Sequence, residues 1–166
     1  MRERELYGYL RALPKQTTAS HTTLLASVLP DFLEILGYEG STIFFDFLLS
    51  LPLRIKADAL VAEHRTGLPW IIVEVKTFNA MRDDPRQEWQ AVKHSYLQFL
   101  SKDEQWLLLF SPKVLGLASK SEEHVYDLTQ LTVAQSSEIY SLLRRPLKSS
   151  DGSSKRPCDI GTEAPL

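Results

Sequence analysis

The stretch ADALVAEHRTGLPWIIVEVKTF, residues 57–78, decides how the chain is read. Its two apolar runs ask for burial, yet Asp58 stands near the start of the first, and Glu74 and Lys76 close the second. Residues 55–63 and 70–77 read as strands, with a turn at HRTGLP, residues 64–69. Two-residue alternation sends Glu74 and Lys76 off one face and Val75 off the other. In the earlier strand it puts Lys56, Asp58 and Leu60 on one face and Ala57, Ala59 and Val61 on the other. The run before Glu74 is nearly all apolar, which suits a central strand covered on both sides. The turn makes the two strands antiparallel neighbours, and a hairpin of suitable register sets Asp58 beside Glu74.

Two half-buried carboxylates side by side repel, at a cost of several kcal/mol unless something offsets it. A divalent cation does so. Oxygen ligands, here Asp58, Glu74 and the Val75 carbonyl, select a hard ion, and Mg²⁺ would keep several waters. Lys76 would stand beside that ion, placed to hold or deprotonate a water or to stabilise charge developing on a phosphoryl oxygen. This is the equipment of phosphodiester hydrolysis without a nucleophilic side chain. The same residues also suit a plainer arrangement. Asp58 can mark a strand entrance, and Glu74 and Lys76 a solvent-facing pair worth about 0–1 kcal/mol.

Outward from this stretch the chain alternates helix and strand signals. Leu6, Tyr9, Leu10 and Leu13 give residues 2–13 a helical stripe that Pro14 ends. Ser20 is placed to cap a second helix starting at His21. Its stripe runs through Leu24, Leu25, Val28, Phe32, Ile35 and Leu36, Pro30 predicts a kink or break, and Gly37 a stop. Residues 42–50 form a first strand. After the loop NAMRDDP, a helix over 85–101 carries Trp89, Val92, Tyr96, Phe99 and Leu100 on one side. Strands follow near 105–110 and 122–128, with SPKVLGLAS a connection or short strand between them, and a last helix spans 132–143. From Arg144 on, the composition turns to Ser, Gly and Pro with few large apolar residues, the signature of a disordered tail over 144–166. The expected organisation is one domain over 1–143, with an N-terminal helix and linker over 1–19 and the core over 20–143.

Composition sets the outer limits. The 166 residues are 43% hydrophobic and 24% charged, with a net charge of −2. That is enough for one well-cored domain and excludes a uniformly basic nucleic-acid coat, though not a local basic groove. The single cysteine, Cys158, makes no internal disulfide. The charged start MRERELYGYL lacks the apolar run of a signal peptide, and TIFFDFLLSLPL is too short to span a bilayer. A cytoplasmic protein with no membrane partner is expected. There is no metal-finger cysteine spacing, no phosphate-binding Gly-rich loop and no Gly-x-Ser-x-Gly elbow.

Asp58 followed by Glu74-Val75-Lys76 at the end of WIIVEVK resembles the PD-(D/E)XK nuclease signature. The wider order resembles the nuclease domain at the N-terminus of type I restriction enzyme motor subunits, and its stand-alone relatives. LLASVLPDFLEILGY is similar to their helix ending in Leu-Gly and an aromatic, RIKADALV to the strand with the metal-binding Asp, LPWIIVEVKT to the strand with Glu and Lys, and EQWLLLFSP to the next strand. The likeness covers residues 20–143, and its motifs are individually degenerate. It implies an α/β, restriction-endonuclease-like fold with a mixed central β-sheet flanked by α-helices. It also implies Mg²⁺, with Mn²⁺ as a substitute, held by Asp58 and Glu74, and Lys76 serving the attacking water.

Family members often add a glutamate on the first core helix. That position falls near His21, which could reach the metal or a phosphate as an accessory group or simply face solvent. Glu34 on the same helix reads as a surface acid. Some relatives carry Gln-x-x-x-Tyr on the helix after the lysine strand. Here Gln90 and His94 share that spacing, with His94 in the tyrosine position. Gln90, Lys93 and His94, with Arg82 and Arg86, are the candidate DNA-binding residues, and the same groups also suit a polar helix face and a basic loop. No motor is present, so a nuclease here would act alone or with a separate motor or specificity protein. One site cuts one strand, which motivates a homodimer. Two other readings stay open: a catalytically inactive nuclease-fold module binding nucleic acid or a protein partner, and an unrelated α/β domain in which the three groups never meet.

Overall fold

Residues that alternate between two apolar sets build a six-stranded sheet, and helices cover both of its faces. The computed structural model describes residues 1–50, 54–62 and 69–146. The expected turn up to Leu68, the tail from residue 147 and Cys158 lie outside the described residues. The strands are β1 (Ile43–Ser50), β2 (Ile55–Ala62), β3 (Pro69–Val75), β4 (Trp106–Phe110), β5 (Val114–Ala118) and β6 (Glu123–Asp127), in that spatial order. All neighbours are antiparallel except β3 and β4, which pair in parallel. A parallel pair needs a crossover, and helix α4 (Pro85–Tyr96) supplies it. This is the mixed, helix-flanked α/β fold of the restriction-endonuclease-like kind.

One face carries Ala59, Val61, Ile71, Val73, Leu108 and Phe110. It is covered by α1 (Arg2–Ala12), α3 (Leu29–Ile35) and α5 (Val133–Leu143) through Leu6, Leu10, Phe32, Leu33, Ile139 and Leu143. The other face carries Leu60, Ile72, Leu107 and Leu109 and is covered by α4 through Trp89, Val92 and Tyr96. Gly116 sits under Trp89 because nothing larger fits. A Cβ there would lie 2.9 Å from the indole Cε3. Gly116→Ala is therefore expected to cost about 1–3 kcal/mol, the range for overpacking a filled core. A lowered denaturation midpoint would register it.

The helix expected from His21 to Leu36 is a composite. Ser20 caps α2 (His21–Thr23) by accepting the Thr23 N–H, a π-helical segment spans Leu24–Val28, and α3 follows with Pro30 in its first turn. Proline has no N–H to return to the turn before it, and the wider π spacing absorbs the gap. Gly37, at φ +95°, ends the helix in the left-handed region. The helix expected over 85–101 ends at Tyr96 and continues as a 3₁₀ turn, Leu97–Phe99. SPKVLGLAS contains the full strand β5. Among the described residues no helix is long and apolar enough to cross a membrane.

One expectation fails in a way that shapes the site. Strict alternation along β2 holds for Ala59, Leu60, Val61 and Ala62 but breaks at Asp58, and Ala57 packs with Leu60 on the α4 face. The β1 register explains the break. Phe45 pairs with Ala59 and Phe47 with Ala57, which leaves Asp46 opposite Asp58. Asp46 has φ +49°, in the left-handed region that strands avoid. Both strands thus shift phase at the Asp46–Asp58 level, and β1 follows suit: the Phe44 and Phe47 rings lie 6.5 Å apart, edge to face.

Candidate active site

The phase shift frees the Asp58 side chain from the flat faces of the sheet. The β2–β3 ladder pairs Ala59 with Val73 and Leu60 with Ile72; carried one step further, it sets Asp58 opposite Glu74. Asp58 Oδ2 accepts the backbone N–H of Val75 at 2.8 Å, taking the place of a ladder bond where the strands part. Within a strand, one residue's N–H and C=O leave on the same side. The Val75 carbonyl is therefore directed toward β2, as its N–H is, while Lys76 donates its N–H to Phe110 in β4 at 2.9 Å.

Glu74 leaves the α4 face of β3. Its Oε2 accepts the Tyr96 hydroxyl at 2.8 Å, and the same hydroxyl lies 2.8 Å from the Lys56 carbonyl. Lys76 departs on the same side, with Nζ 3.4 Å from Glu74 Oε1 and 3.9 Å from Glu88 Oε2. The side chains of Asp58, Glu74 and Lys76 are 24%, 16% and 29% exposed, so all three charges are largely withdrawn from water. Burial pushes the Glu74 carboxyl above its usual range, and the Asp58 charge adds to the push. The Tyr96 hydrogen bond and Lys76 oppose it without cancelling it. Burial and the Glu74 carboxylate push the Tyr96 phenol upward as well, so it remains a donor at neutral pH.

His21, at the start of α2, places Nε2 3.1 Å from Asp58 Oδ2. The residue standing where the resemblance calls for an acid thus reaches Asp58, with its own side chain 46% exposed. Glu88 and Tyr96 are the residues that sequence reasoning missed. They lie two helical turns apart on α4, and Tyr96 was read only as part of an apolar stripe. Its signal was the phenol itself, since a buried tyrosine hydroxyl needs a partner.

Among the described residues, none of the other predicted ones makes a hydrogen bond or ion pair with Asp58, Glu74 or Lys76. Lys93 Nζ is 2.7 Å from Glu123 Oε2 on β6 and 5.5 Å from the centre of the Trp89 ring; its hydrogen bond, helped by that of the Trp89 indole, holds the Glu123 carboxyl below the usual range. That pairing engages Lys93 at the far edge of the sheet. Arg82 Nε pairs with its neighbour Asp83 at 3.4 Å. Arg86, Gln90 and His94 are exposed on α4, and Glu34 is exposed on α3. Among the described residues, no group of three or more His, Cys, Asp or Glu side chains gathers closely enough to hold a metal ion.

Tyr96→Phe tests the support of Glu74. It removes the hydroxyl from a part-buried carbonyl and a largely buried carboxylate, a loss of about 1–3 kcal/mol for a polar group left unpaired. The expected result is a lower melting temperature and, because that hydrogen bond lowers the Glu74 pKa, a further upward shift of Glu74 in a carboxyl titration followed by NMR.

Fold and cluster together give a mixed α/β scaffold with an acid–acid–lysine group where the β2–β3 ladder ends. No protein-family model and no curated protein matches this chain. Among solved structures it is similar to a cryo-EM structure of a DrdV–DNA complex, with a TM-score of 0.55 and 13% identity. The match covers 86% of this chain and 14% of that one, so the chain corresponds to a small part of the larger protein. At that identity the likeness is one of fold.

Proposed function

We propose that the chain is a Mg²⁺-dependent nuclease of the PD-(D/E)XK kind that hydrolyses DNA phosphodiester bonds. The observation that carries this reading is the convergence of Asp58, Glu74 and Lys76: two cross-strand carboxylates with an ammonium 3.4 Å from one of them. The donors suit a hard cation. Burial first and the Asp58 charge second lift Glu74, a cost that a cation would offset, and the Val75 carbonyl is directed to the same side. Asp58, Glu74 and that carbonyl would hold the ion, and water would fill the positions that side chains do not. When bound, the ion supplies charge stabilisation and polarisation at the phosphate.

The chain's own residues do the rest. Lys76, flanked by Glu74 and Glu88, stays near the cluster and orients the attacking water for in-line attack. Tyr96 fixes the Glu74 carboxylate, and His21 and the Val75 N–H fix Asp58. A duplex would be cut by two copies or in two visits, and a motor or specificity function would lie outside these 166 residues. The resemblance to the type I motor-subunit nuclease domain belongs to this proposal.

His21 in place of a helix acid favours a second reading, a catalytically inactive module of the same fold. One experiment separates the two. Purified protein is incubated with supercoiled plasmid in Mg²⁺ or Mn²⁺, with EDTA as control. Metal-dependent nicking is the expected result. Binding without nicking would establish the inactive DNA-binding module, and neither binding nor nicking would remove the nuclease and the DNA-binding module alike.

A further inference from the structure

Beside the cluster lies a feature that phosphate chemistry does not require. His21, Thr22, Leu25, Ala26 and Phe45 line a cleft of about 230 Å³ between the start of the helical segment and strand β1. Its walls are apolar, and His21, which contacts Asp58, stands at its rim. Phe45 is 48% exposed, and Phe47 and Leu48 beside it are 41% and 39% exposed. These make up three of the six exposed large apolar side chains among the described residues. All three stand on β1 near the level of Asp58; Phe45 shares the face of its partner Ala59, and Phe47 lies on the opposite face beside Phe44.

Two occupants of such an edge can be compared. A second copy pairing along β1 would need a regular ladder, but β1 has left-handed backbone at Asp46 and a register shift between Leu48 and Ser50. Irregularities of this kind block edge-to-edge pairing. A planar ring needs no ladder. The cleft is smaller than the ~300–1,000 Å³ of drug-sized sites, and its open aromatic wall is continuous with the cluster through His21. A nucleic-acid strand whose phosphate lies at Asp58 and Glu74 would have its neighbouring base at this distance scale, free to stack only if it is unpaired.

We propose that the Phe45 cleft receives an unpaired nucleobase next to the phosphate, so that the preferred ligand is single-stranded or locally unpaired DNA. This deepens the nuclease reading by naming its substrate class, and it rests on the nucleic-acid half of that reading.

The test uses full-length Lys76→Ala protein, to prevent cutting, with a fluorescently labelled single-stranded oligonucleotide and the matching blunt duplex. Anisotropy should show tighter binding of the single strand. Adding Phe45→Ala should weaken that binding about tenfold, the low end of one base–aromatic stack, and leave the duplex nearly unchanged. Phe45→Trp should retain it. Ala26→Leu, which narrows the cleft from an exposed position and removes no contact group, should weaken it as Phe45→Ala does. Equal affinity of all these variants for the single strand, or an equal loss on both DNAs, would overturn the proposal. A Phe45-dependent dimer in sedimentation with unchanged DNA binding would overturn it too. Plasmid cutting by Phe45→Ala at the wild-type rate, together with unchanged single-strand binding, would sink this proposal and leave the nuclease reading standing. Phe45-dependent single-strand binding by a wild-type protein that cuts nothing would do the reverse.

Discussion

Lys76→Ala should reduce metal-dependent DNA cleavage by about 10²–10³-fold, the usual loss when one preorganised charge is removed from a developing oxyanion. Its fold should survive, because Lys76 lies just beyond β3 and its backbone bond to Phe110 does not involve the side chain. The ammonium is 29% exposed and held between Glu74 and Glu88, so its position is set before any substrate arrives. Lys76→Arg should recover only part of the rate. A planar guanidinium cannot serve as a compact point charge at the same spot. The measurement is the initial rate of plasmid nicking at saturating Mg²⁺, with circular dichroism to verify the fold. Nicking at an undiminished rate by Lys76→Ala would mean that the activity does not come from this cluster.

Glu74→Gln should abolish Mg²⁺ binding and, without metal, make the protein more stable. Glu74 is held above the ordinary carboxyl range by burial first and by Asp58 second. The folded chain therefore holds that proton more tightly than the unfolded chain does. Stability from this group is complete below the unfolded pKa and is lost as pH rises toward the raised folded value. Above the raised folded value wild type carries the full penalty, and Gln carries none while still offering an oxygen to Tyr96. The melting temperature of Glu74→Gln should exceed that of wild type at neutral pH and converge with it in acid, where Glu74 is protonated in both states. For a chain of this size each kcal/mol moves the melting temperature by about 2–4 °C. Mg²⁺ should then reverse the order, since ligand at 100 times its Kd stabilises the binding protein by about 2.7 kcal/mol. Asp58→Ala should lose the metal as well but show no gain in stability, because it leaves the Val75 N–H without its acceptor. Equal calorimetric Mg²⁺ titrations for wild type and both variants would remove the metal site.

The two charged variants differ because their environments differ, and only part of that was legible in the residues. Ser20 before His21, Gly37 after Leu36 and the apolar run ahead of Glu74 each act locally, through a cap, a positive φ and a strand buried on both sides. Local rules suffice for such features. The pairing of Lys93 with Glu123 joins groups thirty positions apart across the β5–β6 edge, and no local pattern announces it. Arg82 pairs with its neighbour Asp83, while Lys76 pairs with Glu74 and Glu88, and sequence proximity announced neither choice.

What the sequence determined by itself was most of the elements, their apolar stripes outside the Ala57–Asp58 level of β2, and the shared side of Glu74 and Lys76, because a period of two or 3.6 residues is a property of the chain alone. What the tertiary structure decided was the site's surroundings. The left-handed backbone of Asp46 shifts the phase of β2 at Asp58, which turns that carboxylate toward Val75 and His21. The α4 crossover brings Tyr96 and Glu88 to Glu74 and Lys76. These contacts depend on how separate segments meet across the sheet, and no periodicity within one segment encodes them.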